Sequence, residues 1–74
     1  METYKNLSGD SSINAYEIGP DSIKVEFLDG TTYLYTYEST GRENVEHMKE
    51  LAKAGAGLSS FISMVVKEAY AEKS

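Results

Sequence analysis

Tyr33, Tyr35 and Tyr37 alternate along one short segment of the chain. Because successive side chains of a strand point to opposite faces, this spacing predicts a row of three tyrosines on one face of a sheet. Aromatic rings exposed on a sheet can stack on the bases of single-stranded RNA if cations line the path of the phosphates. Lys24 is the one cation predicted in this row, and Glu26 beside it repels phosphate. The row therefore favours packing under a terminal arm, a helix or another subunit.

Few other residues have the spacing that catalysis or metal binding requires. The single histidine, His47, lies among Glu43, Glu46 and Glu50, a pattern typical of the solvated face of a helix. His47 and Glu50 would supply two metal ligands at best, so an acid–base or metal role of His47 is the weaker alternative. The chain has no cysteine, which excludes a thiol nucleophile and cysteine-ligated zinc. We therefore expect a non-enzyme without a metal or cofactor.

The charge balance disfavours nucleic acid as a partner. Seven Lys+Arg against twelve Asp+Glu give a net charge of −5, and no segment of the chain is basic. Proteins that bind nucleic acid by bulk electrostatics need a positive surface opposite the phosphates.

The length predicts one domain with a thin core. Seventy-four residues without disulfides bury a modest share of their surface, and association of copies is a common way to support such a chain. We therefore expect a homo-oligomer, with a further protein partner as another option. The longest near-apolar stretch, residues 61–66, is too short to span a bilayer, and no signal peptide is recognisable at the start. These features predict a cytoplasmic protein that does not insert into membranes.

Three strands are predicted from the apolar pattern. Residues 13–18 form a short β-favouring run, residues 23–27 alternate strictly between apolar and polar, and residues 31–37 are rich in Thr and Tyr. Residues 1–12 are polar and are expected to form an N-terminal arm, which Tyr4 and Leu7 could dock on the body of the protein.

Two helices are predicted after the strands. The segment Thr40-Gly-Arg-Glu43 fits a capping box and predicts a helix to about Ala54, with an apolar side formed by Val45, Met48, Leu51 and Ala52. Gly55-Ala56-Gly57 would end it, and a second helix capped by Ser59 or Ser60 would run to about Ala71. Residues 13–74 are thus expected to form a single α+β domain. Its predicted architecture is a three-stranded antiparallel meander followed by two C-terminal helices packed on one sheet face.

The dipeptide Asp29-Gly30 predicts a two-residue hairpin loop between the second and third strands. Such a loop pairs Val25 with Leu34, and it places the tyrosine row on the face opposite the aliphatic side chains. A slip of one residue would exchange the two faces, so this expectation depends on the type of turn.

Several short segments occur in the order of a known family. They are Ser11-Ser12-Ile13, residues 23–27, residues 30–35 and residues 57–62. On these segments the chain resembles, from Ser11 to about Tyr70, the KTSC domain. That domain is named after the C-terminal domain of some lysyl-tRNA synthetases and is also found as small bacterial and phage proteins.

The resemblance implies no assigned activity, and RNA binding is a suggestion attached to the family's name. It places Tyr33 and Tyr35 at the family's central Tyr-x-Tyr motif, and Lys67 where such domains tend to carry basic residues. The chain departs from the family in its acidic charge and in having Glu38-Ser39-Thr40-Gly41 where a proline is common after the third strand.

Two functions follow as hypotheses. The first is a small non-catalytic interaction domain that self-associates through a strand edge or the tyrosine face. The second is an RNA-binding module with exposed tyrosines and lysines that converge beside them. The candidate binding residues are Tyr33, Tyr35, Tyr37, Lys24 and Lys67.

Overall fold

Residues 1–7, 9 and 11–74, which the computed structural model of the chain describes, form a five-stranded antiparallel meander. Each strand pairs with the next along the chain. The strands are β1 (Glu2–Thr3), β2 (Ile13–Ile18), β3 (Ser22–Phe27), β4 (Thr32–Thr36) and β5 (Glu72–Lys73). The α+β class and the antiparallel sheet are confirmed. The predicted three-stranded meander corresponds to β2, β3 and β4, to which two short strands are added at the edges.

The helical elements lie between β4 and β5 in the chain. They are α1 (Tyr37–Thr40), α2 (Arg42–Ala54), α3 (Leu58–Phe61) and a π-helical turn (Ile62–Val66) that continues α3. The predicted end of the first helix at Ala54 is confirmed, because Gly55 takes the left-handed φ of 79° that ends a helix.

The capping box predicted at Thr40 and Glu43 is wrong. The box lies one turn earlier, where Thr36 and Ser39 bond reciprocally and begin α1. The N-cap of α2 is Gly41, which has no side chain to cap the helix, and the buried hydroxyl of Thr40 donates instead to the carbonyl of Ala69 at 2.7 Å.

The predicted second helix is wrong beyond Val66. The N–H of Lys67 donates to the carbonyl of Ile62 at 2.7 Å, five residues back, and Lys67 then adopts φ 46° and ψ −114°. The chain reverses there and returns to the sheet as β5. Tyr70 continues the apolar spacing of a helix, but its ring packs on Tyr33 of the sheet instead.

The loop between β3 and β4 has three residues, Leu28 to Gly30, rather than the two predicted. Phe27 donates its N–H to the carbonyl of Thr31 at 2.8 Å, and the side chain of Asp29 accepts from the N–H of Thr31 at 2.9 Å. Gly30 takes φ 90°, a conformation that glycine adopts freely and that is typical of three-residue hairpin loops.

The longer loop shifts the register of the hairpin by one residue. Val25 pairs with Tyr33 and Ile23 pairs with Tyr35. The prediction that Tyr33 and Tyr35 lie opposite the aliphatic side chains is therefore wrong, because they share the face of Ile23 and Val25.

The core lies between this face of the sheet and the helices. Helix α2 buries Val45, Met48 and Ala52 against the sheet, as its apolar spacing predicts. The largest fully buried side chains are Tyr35, Ile13, Ile23, Met48, Leu58, Val25 and Val45.

The N-terminal residues are held at both the sheet and the helices. Tyr4 is 4% exposed, and its hydroxyl accepts from the N–H of Leu58 at the start of α3, at 3.4 Å. The N–H of Leu7 donates to the carbonyl of Gly55 at 2.7 Å. A Cβ at Gly55 would lie 2.5 Å from the Cβ of Lys5, so glycine is needed there for this close approach as well.

We expect Tyr4→Ala to lower the free energy of unfolding by about 3–5 kcal/mol, the range for truncating a buried aromatic side chain. Leu7→Ala is the matched control, because Leu7 is 70% exposed and its loss should change stability by less than about 0.5 kcal/mol. Urea unfolding followed by circular dichroism measures both. Equal effects of the two substitutions would contradict the docking through Tyr4.

Candidate functional site

A cleft of about 340 Å³ opens between the end of the β3–β4 hairpin, the π-helical turn and the C-terminal segment. Aromatic rings form its apolar part. The rings are those of Phe27, Tyr33, Tyr35 and Tyr70. We call this site the aromatic cleft.

The aromatic rings pack on one another at edge and tilted angles. The rings of Phe27 and Tyr33 meet edge to face at 5.4 Å, and that of Tyr70 lies 4.8 Å from Tyr33 at 56°. Tyr35 meets Tyr70 edge to face at 6.4 Å. Such arrangements are those that the aromatic quadrupole favours, so the rings form a preorganised wall.

Charged side chains of both signs surround these rings. Lys67 and Lys73 line the cleft together with Asp29 and Glu68, so the formal charges balance. The ammonium of Lys73 lies 5.7 Å from the centre of the Tyr33 ring, within the range of a cation–π contact. Hydrogen bonds from Thr31 hold the pKa of Asp29 below its usual value, and the charge of Lys73 contributes.

Tyr35 is the least exposed of the cleft residues, at 1%. Burial, aided by the neighbouring Tyr33 and Tyr70, raises the pKa of Tyr35 to about 12. The hydroxyl therefore stays protonated at neutral pH, where it can donate or accept a hydrogen bond but cannot serve as a base.

Lys67 lines the cleft with an unusual backbone conformation. Its φ of 46° and ψ of −114° are those of the first central residue of a type II′ turn, a position that favours glycine. The N–H of Ala69 closes this turn on the carbonyl of Val66 at 2.8 Å. A non-glycine residue held there stores on the order of 1–3 kcal/mol of strain, and such strain is frequent at binding sites.

The structure brings together three of the five candidate residues predicted from the sequence. Tyr33, Tyr35 and Lys67 line the aromatic cleft. Lys24 pairs with Leu34 on the opposite, exposed face of the sheet, and Tyr37 lies outside the sheet at the start of α1. The predicted row of three tyrosines beside Lys24 is therefore wrong.

Sequence analysis missed the cleft roles of Tyr70 and Lys73. Tyr70 fitted a helical stripe, and β5 is a strand of two residues. A run that short has no measurable period, so no signal in the sequence distinguishes it from a loop.

Tyr37 belongs to a separate polar cluster. Its hydroxyl donates to the carboxylate of Glu46 at 2.5 Å, and the ammonium of Lys49 lies 2.8 Å from the same carboxylate oxygen. Lys49 is buried and also donates to the carbonyl of Pro20 at 3.4 Å. The Lys49 bond chiefly, and then that of Tyr37, lowers the pKa of Glu46, while the Glu46 bond raises the pKa of Tyr37. The cluster ties α2 to the turn before β3, a structural role.

His47 is exposed on α2, as predicted, and its ring lies 4.8 Å from that of Phe61. Among the residues that the structure describes, no three His, Asp or Glu side chains gather in a way that could hold a metal ion. Nor does any helix within these described ranges have the length and apolar character needed to cross a membrane.

In comparisons with known proteins, no family model matches the chain, and neither a curated protein nor a solved structure is significantly similar to it. The resemblance to the KTSC domain therefore stays a prediction from the sequence.

We expect the raised pKa of Tyr35 to make the fold sensitive to alkali. The folded state holds this proton more tightly than the unfolded chain, whose tyrosine pKa is near 10. The contribution of the protonated Tyr35 to the free energy of unfolding is fully present below pH 10, and it is lost as the pH rises towards 12. In Tyr35→Phe, the fall in the free energy of unfolding between pH 10 and pH 12 should be smaller by about 1–3 kcal/mol, as measured by urea unfolding across that pH range. An unchanged pH dependence would contradict the assignment.

We expect Lys67→Gly to stabilise the protein by about 1 kcal/mol, because relief of the strain exceeds the entropy that glycine adds to the unfolded chain. Lys53→Gly is the matched control, since Lys53 is exposed within α2 and its replacement should destabilise by about 1 kcal/mol. Thermal unfolding of both variants gives the comparison. A loss of stability in Lys67→Gly would show that the turn is not strained.

Proposed function

We propose that the chain is a small non-catalytic interaction domain, and that the aromatic cleft receives one aromatic or apolar side chain of a partner protein. The observation that carries this proposal is the cleft itself: about 340 Å³ beside four packed aromatic rings. That volume is at the lower end of the range for binding pockets, which suits a single side chain.

The charges around the cleft favour a polypeptide over a nucleic acid. Lys67 and Lys73 are offset by Asp29 and Glu68, so a phosphate chain would meet no net positive field. A polypeptide segment with side chains of both signs could instead pair with all four groups at the rim of the cleft.

The burial of Tyr35 also argues against the RNA-binding alternative, which used this ring to stack on a base. Stacking requires an accessible ring face, and Tyr35 is 1% exposed. The other cations do not converge here: Lys24 lies on the opposite face, and Arg42 and Lys49 lie over the ring of Tyr37.

The chemistry of the cleft supports a non-catalytic role. Its innermost hydroxyl, that of Tyr35, has a pKa of about 12 and stays neutral at physiological pH. The carboxylates of Asp29 and Glu68 lie at exposed positions, and hydrogen bonds from Thr31 lower the pKa of Asp29. A general base usually needs a carboxyl pKa that burial raises towards neutrality.

Titration of the ¹⁵N-labelled protein with N-acetyl-tryptophanamide tests the proposal. We expect saturable shifts of the backbone amides of Tyr33, Ser63 and Lys67, with weak affinity because the probe carries one side chain and no flanking contacts. Ser63→Phe should abolish these shifts, because Ser63 is exposed at the lining of the cleft and the new ring would fill it.

Ser60→Phe is the matched control, since Ser60 is exposed on α3 and does not line the cleft. It should leave the titration unchanged. An absence of shifts in the cleft would refute the proposal. So would salt-sensitive shifts with mixed-sequence single-stranded RNA that Ser63→Phe removes, because they would establish the RNA-binding alternative. Tyr33→Ala and Tyr35→Ala are poor tools here, because both rings support the core.

A further inference from the structure

The C-terminal segment, residues 67–74, is attached to the body of the protein mainly through its backbone. Residues 71–74 are all exposed. Ala71 donates its N–H to the carbonyl of Leu34 at 2.6 Å, and Thr32 and Ser74 exchange two backbone bonds of 3.0 and 2.8 Å. Its largest apolar anchor is the half-buried ring of Tyr70 against Tyr33.

The hinge of this segment is the strained turn at Lys67. The positive φ of 46° exists because the chain must reverse between the π-helical turn and β5. If the segment extended away from the body, Lys67 could return to an ordinary φ, and the edge of β4 would be left with unpaired backbone groups. An open edge of this kind binds another strand of suitable sequence.

We propose that the C-terminal segment exchanges between two copies of the chain, which gives a strand-swapped dimer. In this dimer β5 of one copy pairs with β4 of the other, and Tyr70 of one copy lies against Tyr33 of the other. Every contact of the closed monomer is re-formed between copies except the strained turn. Each dimer therefore relieves two strained hinges, and short hinges under strain are the setting in which such exchange occurs.

The occupant of the opened β4 edge is a second copy because its β5 already has the sequence that pairs with this edge. The register Tyr33 to Lys73 and Leu34 to Glu72 is repeated by the exchanged strand without any change in side chains. Aromatic and charged residues of the other copy, Tyr70 and Lys73, would then complete each aromatic cleft. The exchange does not depend on the cleft having a partner, since it rests on the strain at Lys67 and on the pairing of β4 with β5.

The double variant Leu34→Cys/Glu72→Cys distinguishes exchange from other modes of association. The two positions face each other across β4 and β5, and the chain has no other cysteine. A short thiol cross-linker joins them within one chain in the closed monomer. In a swapped dimer the same reaction joins two chains, which gives a covalent dimer on a denaturing gel. A dimer formed through any other surface gives intrachain products alone.

Variants of the hinge test whether strain at Lys67 causes the exchange. Lys67→Gly should lower the association constant of the dimer, measured by sedimentation, by about tenfold or more, because the closed turn is no longer strained. Lys67→Pro should raise it, because proline fixes φ near −65° and cannot donate the N–H that bonds to Ile62. Glu68→Gly is the matched control: it adds flexibility at the next residue without relieving strain at Lys67, and should leave the constant within about twofold.

These experiments distinguish exchange of the C-terminal segment from other kinds of association. Interchain cross-links that increase with protein concentration, and opposite effects of Lys67→Gly and Lys67→Pro, support the exchange. Two results overturn it: dimers that yield intrachain products alone, or a wild-type protein and a Lys67→Pro variant that are both folded and monomeric at millimolar concentration. If Lys67→Pro does not fold, cross-linking of the double cysteine variant, which keeps Lys67, is the deciding measurement. None of these results bears on the titration of the aromatic cleft, so the two proposals can fail separately.

Discussion

The three-residue loop from Leu28 to Gly30 sets the register on which the rest of the structure depends. With Gly30 at φ 90° and Thr31 bonded to the side chain of Asp29, Tyr35 pairs with Ile23 and faces the helices. One residue fewer would place every side chain of β4 on the other face of the sheet. The burial of Tyr35 and the aromatic cleft are two consequences of this one turn.

Local patterns in the sequence predict the longer strands and helices well, but they predict poorly where and how the chain reverses direction. Strand β2 and the end of α2 at Ala54 follow from patterns within a few residues, because apolar period and left-handed glycine act locally. The side of the sheet that Tyr33 occupies depends on one residue of loop length, and Asp29-Gly30 occurs in both loop types. The cleft could not be assembled from the sequence, since Tyr33 and Tyr70 meet only after the chain turns back at Lys67.

Both long edges of the central sheet are covered by the chain's own flanking segments. Strand β1 covers part of β2, and β5 covers part of β4, each with two residues. Such short edge strands carrying charged side chains limit unselective pairing with other chains, because they offer few free backbone groups and resist close approach. The two edges differ in how firmly they are held. Tyr4 buries its ring beside β1, whereas residues 71–74, which include β5, are all exposed and bury no side chain.

The π-helical turn, Ile62–Val66, has a consequence for how chains of this kind can diversify. Each of its hydrogen-bonded rings encloses one residue more than an α-helix does. Deleting a single residue there would restore α-helical geometry and rotate the following backbone about the helix axis, which would move Lys67 and Tyr70 relative to Tyr33. The shape of the aromatic cleft can therefore change through a change in chain length alone, with no substitution among the residues that line it.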